Sequence, residues 1–236
     1  MGFYMGEGFL YVIFLILAVL SVFAQFNVTS TFKKFSKIQN SRGYTGADVA
    51  RLLLEQNGIT DVSVEPVSGS LTDHYDPSSK ILRLSESVYA NRSVAALGVA
   101  AHETGHAVQH ATGYGPLTLR TNIAPACSVG SKLAIPMVFL GVVLSAFVNC
   151  LPLIYAGIIL FSLVVFFQIV TLPVEFDASH RAMDMLTEYG FLNDSEAAGA
   201  RKVLTAAALT YVAAAATSII NLLRLLAMVN GGSRRR

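Results

Sequence analysis

Residues 101–110 read AHETGHAVQH, and this stretch decides what the rest of the chain has to build. On an α-helix, side chains four apart project from one face, so His102 and His106 present two imidazoles to a single point. Glu103 lies beside them, within reach of a water held at that point. Two imidazoles and an adjacent carboxylate on one helical turn are the residues and spacing of a hydrolytic zinc site, with two metal ligands and a general base. Three of the five histidines fall between 102 and 110, a concentration that a merely solvated helix face does not call for.

Working outward, Ser93 is placed to cap a helix running to about residue 112, with Gly113 just past its end. A helix of that length is about 30 Å long, enough to cross a bilayer. Its three histidines, Glu103 and Gln109 exclude a lipid-facing position. The helix is therefore expected in a polar portion of the molecule, with Leu97, Ala101 and Val108 packed inward.

That polar portion belongs to a membrane protein. The chain has 236 residues, of which 53% are hydrophobic and 14% charged, with mean hydropathy +0.56. Soluble domains carry about a quarter charged residues. A net charge of +2, with no basic run interleaved with aromatics, excludes a nucleic-acid surface. Cys127 and Cys150 have neither C-x-x-C nor Cys/His spacing and read as ordinary apolar residues.

Three apolar runs follow. Residues 9–26 are uncharged and long enough to span. The segment before them, MGFYMGEG, has no Lys or Arg, which favours an uncleaved anchor over a signal peptide. Lys33, Lys34, Lys37 and Arg42 come next, so the positive-inside rule places residue 27 onward in the cytoplasm. The run from Lys132 to Val170 is too long for one crossing, and Asn149 to Pro152 divide it. The expected result is a transmembrane hairpin over 133–170, with spans at about 133–149 and 153–170. A hairpin returns to the side it left, so regions 27–131 and 171–202 are both expected in the cytoplasm, where they can build one site. The run 203–228 carries Asn221 and Arg224 and precedes Arg234, Arg235 and Arg236. It reads equally as a fourth span or as an interfacial helix.

The polar part reads as a small α+β unit. Thr45 caps a helix over about 46–57, closed by Gly58. Strand-like segments follow at 61–66, 71–76 and 80–84, separated by turns at Ser68-Gly69-Ser70 and Pro77-Ser78-Ser79. A catalytic zinc usually takes three protein ligands. His110 is eight residues past His102, about 12 Å along the same helix, and so cannot bind the same ion. The other polar segment offers PVEFDASHRAMD at 173–184, in which Pro173 suits a helix start. Glu175 is positioned to coordinate, while Asp177 and His180 fall on other faces. The alternative reading of these acids is a helix N-terminus complementing its dipole.

The order of anchor, HExxH helix, membrane hairpin and E-F-x-A helix resembles the HtpX-type and CAAX-processing membrane metallopeptidases. It is more closely similar to the YugP-like zinc metallopeptidases. The stretches LTDHYDPSSKILRLS, AAHETGHAVQH and LPVEFDASHRA carry the resemblance, which covers nearly the whole chain. It implies zinc bound by His102, His106 and Glu175, with Glu103 as general base. Related glutamate-ligand zinc peptidases often carry Asp four residues after the ligand Glu to orient a zinc-bound His. Here that position is Ser179, which leaves Asp177 or Ser179 as the substitute.

The expectation is a mostly α membrane protein with three to four spans and a small α+β, zincin-like cytoplasmic portion. Its expected activity is zinc-dependent endopeptidase cleavage of a peptide or membrane-protein substrate, at the cytoplasmic face of a bacterial cell membrane, with a regulatory membrane partner left open. A catalytically silent zinc-containing scaffold and a metal-handling membrane protein are the alternatives. Neither has a use for the carboxylate at 103. His74, Tyr75, Tyr114, His180 and Arg181 are the side chains of a type to steady an oxyanion or bind substrate.

Overall fold

The structure is a computed structural model, and it describes residues 2–148 and 150–233. Seven helices and three strands follow in the order α1 (Gly2–Phe35), α2 (Gly46–Gln56), β1 (Ser63–Val67), β2 (His74–Asp76), β3 (Ile81–Ser85), α3 (Glu86–Tyr89), α4 (Val94–Ala111), α5 (Gly115–Leu144), α6 (Leu151–Glu188) and α7 (Asp194–Ser233). The chain divides into two compact units. One comprises Ala24–Thr118 and Pro173–Thr210; the other comprises Met1–Phe23, Leu119–Leu172 and Tyr211–Arg236.

The first unit is built as its local sequence dictates. Thr45 caps α2, its hydroxyl accepting from the Asp48 N–H while the Asp48 carboxylate accepts from the Thr45 N–H. This reciprocal box satisfies donors that a helix end otherwise leaves without partners. Ser93 accepts from the Ala96 N–H at 3.2 Å and starts α4, as expected, and Gly113 adopts φ +64° just beyond its end. The three strands form one sheet in the order β1-β3-β2, with β1 parallel and β2 antiparallel to β3. Strand β2 is thus an edge. Leu53 of α2, Leu82 and Leu84 of β3, Leu97 of α4 and Leu186 of α6 are fully buried in a single core.

The second unit contains long apolar helical segments. Helices α1, α5, α6 and α7 are each long and apolar enough to cross a membrane, with mean hydropathy between 1.9 and 2.6 over their most apolar stretches. Its buried cluster is small, formed by Val138, Ile154, Ile158 and Val229. Small residues let α5 and α6 pack closely there: a Cβ on Gly157 would meet the Ala134 carbonyl oxygen at 2.8 Å. Cys127 is buried, and both thiols are unbridged.

Two expectations are corrected. The apolar run beginning at 133 is, as far as Leu144, the later part of α5, which already starts at Gly115; Arg120, Asn122 and Pro125 lower the hydropathy of its first turns and hide the start. Pro173 does not open a helix. It lies inside α6, where a missing N–H interrupts one backbone bond without ending the helix. Pro152 sits in the first turn of α6, where that N–H has no helical partner to lose. Asn149, expected to mark the break, and Arg234, Arg235 and Arg236 lie outside the described residues. The run 203–228 is part of α7, whose Asp194–Val229 segment is long and apolar enough to cross.

Candidate metal centre

Helices α4 and α6 bring His102, His106 and Glu175 together, with one ligand atom from each lying within 4.8 Å of the others. The close approach depends on Gly105. A Cβ there would stand 2.6 Å from the Ala178 carbonyl oxygen, far inside contact distance. Ala178 of α6 packs across that bare patch and, like Val174 and Ala182 of the same helix, is fully buried, which sets Glu175 opposite the histidines. Glu175 is 2% exposed, and its Oε2 lies 3.3 Å from His102 Nε2 and 3.7 Å from His106 Nε2. The two imidazole rings stand edge to face, with centroids 4.7 Å apart.

Each histidine is engaged on its other nitrogen. Ser179 Oγ lies 3.1 Å from His102 Nδ1, and Gln109 Oε1 lies 3.0 Å from His106 Nδ1. Both rings therefore turn Nε2 toward Glu175. Burial alone would lower the His106 pKa, but the Glu175 and Glu103 carboxylates and the Gln109 bond outweigh it and raise the value.

This donor set fits zinc. Bond lengths of about 2.0–2.2 Å in tetrahedral geometry require ligand atoms roughly 3.3–3.6 Å apart. The two histidine–glutamate separations bracket that spacing, and two imidazoles with one carboxylate are donor types zinc accepts. Three such ligands leave one position for water or substrate.

Glu103 is 8% exposed, and its Oε2 accepts from the Tyr75 N–H at 3.1 Å. The edge strand β2 thus meets α4 through the carboxylate between the two histidines. Asp73, at the entry to β2, accepts from the Ser85 N–H at 2.7 Å and from its hydroxyl at 3.0 Å. Burial pushes the Asp73 carboxyl upward, the Ser85 bonds offset part of this, and the Glu103 charge adds to the rise.

The remaining expected residues spread around this centre. His110 lies apart from the cluster, with Nδ1 2.8 Å from the Tyr75 hydroxyl. Asp177 Oδ2 accepts from Gln109 Nε2 at 2.8 Å and from Arg181 Nε at 2.6 Å. The Arg181 guanidinium stands over the Tyr114 ring at 5.8 Å. His74 Nδ1 is 2.8 Å from the Thr72 carbonyl, and the exposed His180 lies 3.4 Å from Asp184. Of the two residues weighed as substitutes for the missing Asp, Ser179 contacts a histidine directly and Asp177 reaches one only through Gln109. Sequence reasoning missed the contacts of Gln109, the bare patch at Gly105 and the Tyr75 N–H. The first had a signal, since position 109 shares a face with His106.

A mostly helical chain with, among its described residues, four helices long and apolar enough to cross a membrane and a His-His-Glu cluster has the makings of a membrane metalloenzyme, and comparison with known proteins agrees. The model of the family described as "Putative neutral zinc metallopeptidase" matches residues 10–230, and the chain belongs to that family. It is 53% identical over 214 residues to the protein described as "Putative membrane protease YugP" of Bacillus subtilis (strain 168), covering 90% of this chain and 93% of that one. No solved structure matches the chain.

Proposed function

We propose that the chain is a membrane-embedded zinc endopeptidase that cleaves a peptide or membrane-protein substrate at the cytoplasmic face of a bacterial membrane. The observation that carries this reading is the carboxylate of Glu103, held beside three converging metal-ligand side chains. Lys33 and Lys34 in the last turn of α1 support the cytoplasmic orientation.

In this reading His102, His106 and Glu175 hold the metal. Zinc bound there would bring the pKa of a water toward neutrality and polarise the scissile carbonyl. The Tyr75 N–H fixes Oε2 of Glu103, and the carboxylate takes a proton from the attacking water. The oxygen bonds to the carbonyl carbon, the carbon–nitrogen bond breaks, and Glu103 returns the proton to the leaving amine. The carboxylate starts and ends ionised, so one residue serves as base and then acid.

The test is zinc content and chelator-sensitive cleavage of casein by the purified chain, with three variants. Glu103→Gln is expected to keep about one zinc per chain and to lose activity by ~10²–10⁴-fold, the range a positioned acid–base group supplies. His106→Ala and Glu175→Gln are expected to lose zinc and activity together. Unchanged turnover in Glu103→Gln would rule out the peptidase reading. Zinc without cleavage in the unaltered protein would favour the silent scaffold.

A further inference from the structure

We infer that Gln109 is a positioning residue that fixes the tautomer and orientation of His106 for the metal; this rests on the zinc reading above. Gln109 is fully buried, although nothing in an apolar core requires an amide. Its two ends are distinguishable by their surroundings. One amide atom faces two acceptors, the Val174 carbonyl at 2.8 Å and Asp177 Oδ2 at 2.8 Å. Only an NH2 group, with two hydrogens, satisfies both. The other end, facing His106 Nδ1 at 3.0 Å, is therefore the oxygen. A carbonyl oxygen only accepts, so His106 carries its proton on Nδ1 and leaves the Nε2 lone pair toward Glu175.

The amide is locked in turn. Arg181 Nε donates to the same Asp177 oxygen at 2.6 Å, holding that carboxylate in place, and Arg181 stands over Tyr114. Asp177 thus orients His106 through an intervening amide, although its own side chain never touches the ring. His102 differs. Its Nδ1 partner is the Ser179 hydroxyl, which can donate or accept and so imposes no tautomer alone. The two histidines of one motif are therefore prepared unequally.

The test uses the full-length protein in detergent, with zinc affinity read by chelator competition and His106 tautomer read by nitrogen-15 NMR of the metal-free protein. Gln109→Met keeps length and loses both polar ends. It is expected to weaken zinc binding by 10–100-fold, the usual effect of removing a partner of a metal-bound histidine, and to convert His106 to a mixture of tautomers. Because that change also strips partners from Val174 and Asp177, a second variant combines Gln109→Glu with Asp177→Asn. It restores an acceptor to Nδ1 and makes the amide introduced by Asp177→Asn the donor facing position 109, leaving only the Val174 carbonyl without its donor. Its zinc affinity is expected to recover most of what Gln109→Met loses. Wild-type affinity and tautomer in Gln109→Met would overturn the inference. So would a double variant that binds as poorly as Gln109→Met with both proteins folded. If His106→Ala retains zinc, the zinc reading itself fails, an outcome the Gln109 variants alone do not produce.

Discussion

The unit of Ala24–Thr118 and Pro173–Thr210 gathers a large buried apolar core, while the other unit displays much of its apolar surface. In the first, Leu53, Leu82, Leu84, Leu97 and Leu186 are fully buried behind polar surfaces. In the second, Val22, Phe139 and Ile159 project outward from helices whose own packed cluster holds a handful of side chains. Water drives the first arrangement, since burying apolar area is favourable only where water is the alternative. The second suits a medium as apolar as its side chains, where helices cohere through small residues and close backbone approach. The candidate metal centre sits in the first, where carboxylates and imidazoles find the partners and water that hydrocarbon does not offer.

The largest expected contrast comes from truncating one apolar residue in each unit. Leu97→Ala leaves a cavity in a closed core and should cost about 2–5 kcal/mol. Phe139→Ala removes a side chain that is 69% exposed and leaves no cavity, so thermal unfolding in detergent should barely move. Equal losses from both would show that the second unit has a core of the same kind as the first.

A charge distinguishes lipid from water at the same position. Phe139→Asp places a carboxylate on a candidate span, where insertion scales give a penalty of about 2.5–3.5 kcal/mol for Asp at a helix centre. Membrane fractionation should show reduced insertion. Soluble, folded protein recovered in higher yield without detergent would mean that this face meets water.

Gly105→Ala probes the close approach on which the metal centre depends. Its Cβ meets backbone at 2.6 Å, so α4 and α6 must separate. Overpacking of this kind costs about 1–3 kcal/mol. The shift should also weaken zinc binding, because Glu175 moves with α6. Chelator competition showing unaltered affinity would detach the centre's geometry from this contact.

These tests also mark where the sequence was legible. Helix α4 could be placed from Ser93, Gly113 and its apolar stripe because caps and periodicity are local. His102, Glu103 and His106 follow from spacing on that one element. Glu175 needed a resemblance, since nothing local joins residue 175 to residue 102. Ser179 was one of two candidates to orient a histidine, and the contacts of Gln109 with Val174 and Asp177 stayed hidden, for the same reason: periodicity tells which side chains share a face, and packing decides which element arrives there. Pro173 misled because a proline signals a helix start in isolation but is accommodated within a long helix. Hydropathy located the apolar part of α5 and missed its polar first turns, since it reports the medium a helix crosses and not where its hydrogen bonds begin.

The smallest effect expected concerns the end of α2, where the water-facing unit follows the capping rules of soluble proteins. Thr45→Ala removes an N-cap acceptor and should cost about 1 kcal/mol. Its partner adds a pH signature. The Thr45 hydroxyl and N–H hold the Asp48 carboxyl below the usual carboxylate range, against a small opposing effect of burial, and Arg51 and Arg92 help. A depressed native value means that the stabilisation is fully present above the unfolded carboxylate pKa of about 4 and is lost as pH falls through the native one. The group is largely solvated, so the gain is modest. With both proteins stripped of metal, Asp48→Asn should melt slightly below the unaltered protein at pH 7, and the gap should narrow as pH drops below about 4. A gap independent of pH would mean that Asp48 stabilises α2 by shape and hydrogen bonding alone. The first unit would then owe nothing at this helix end to an ionised cap.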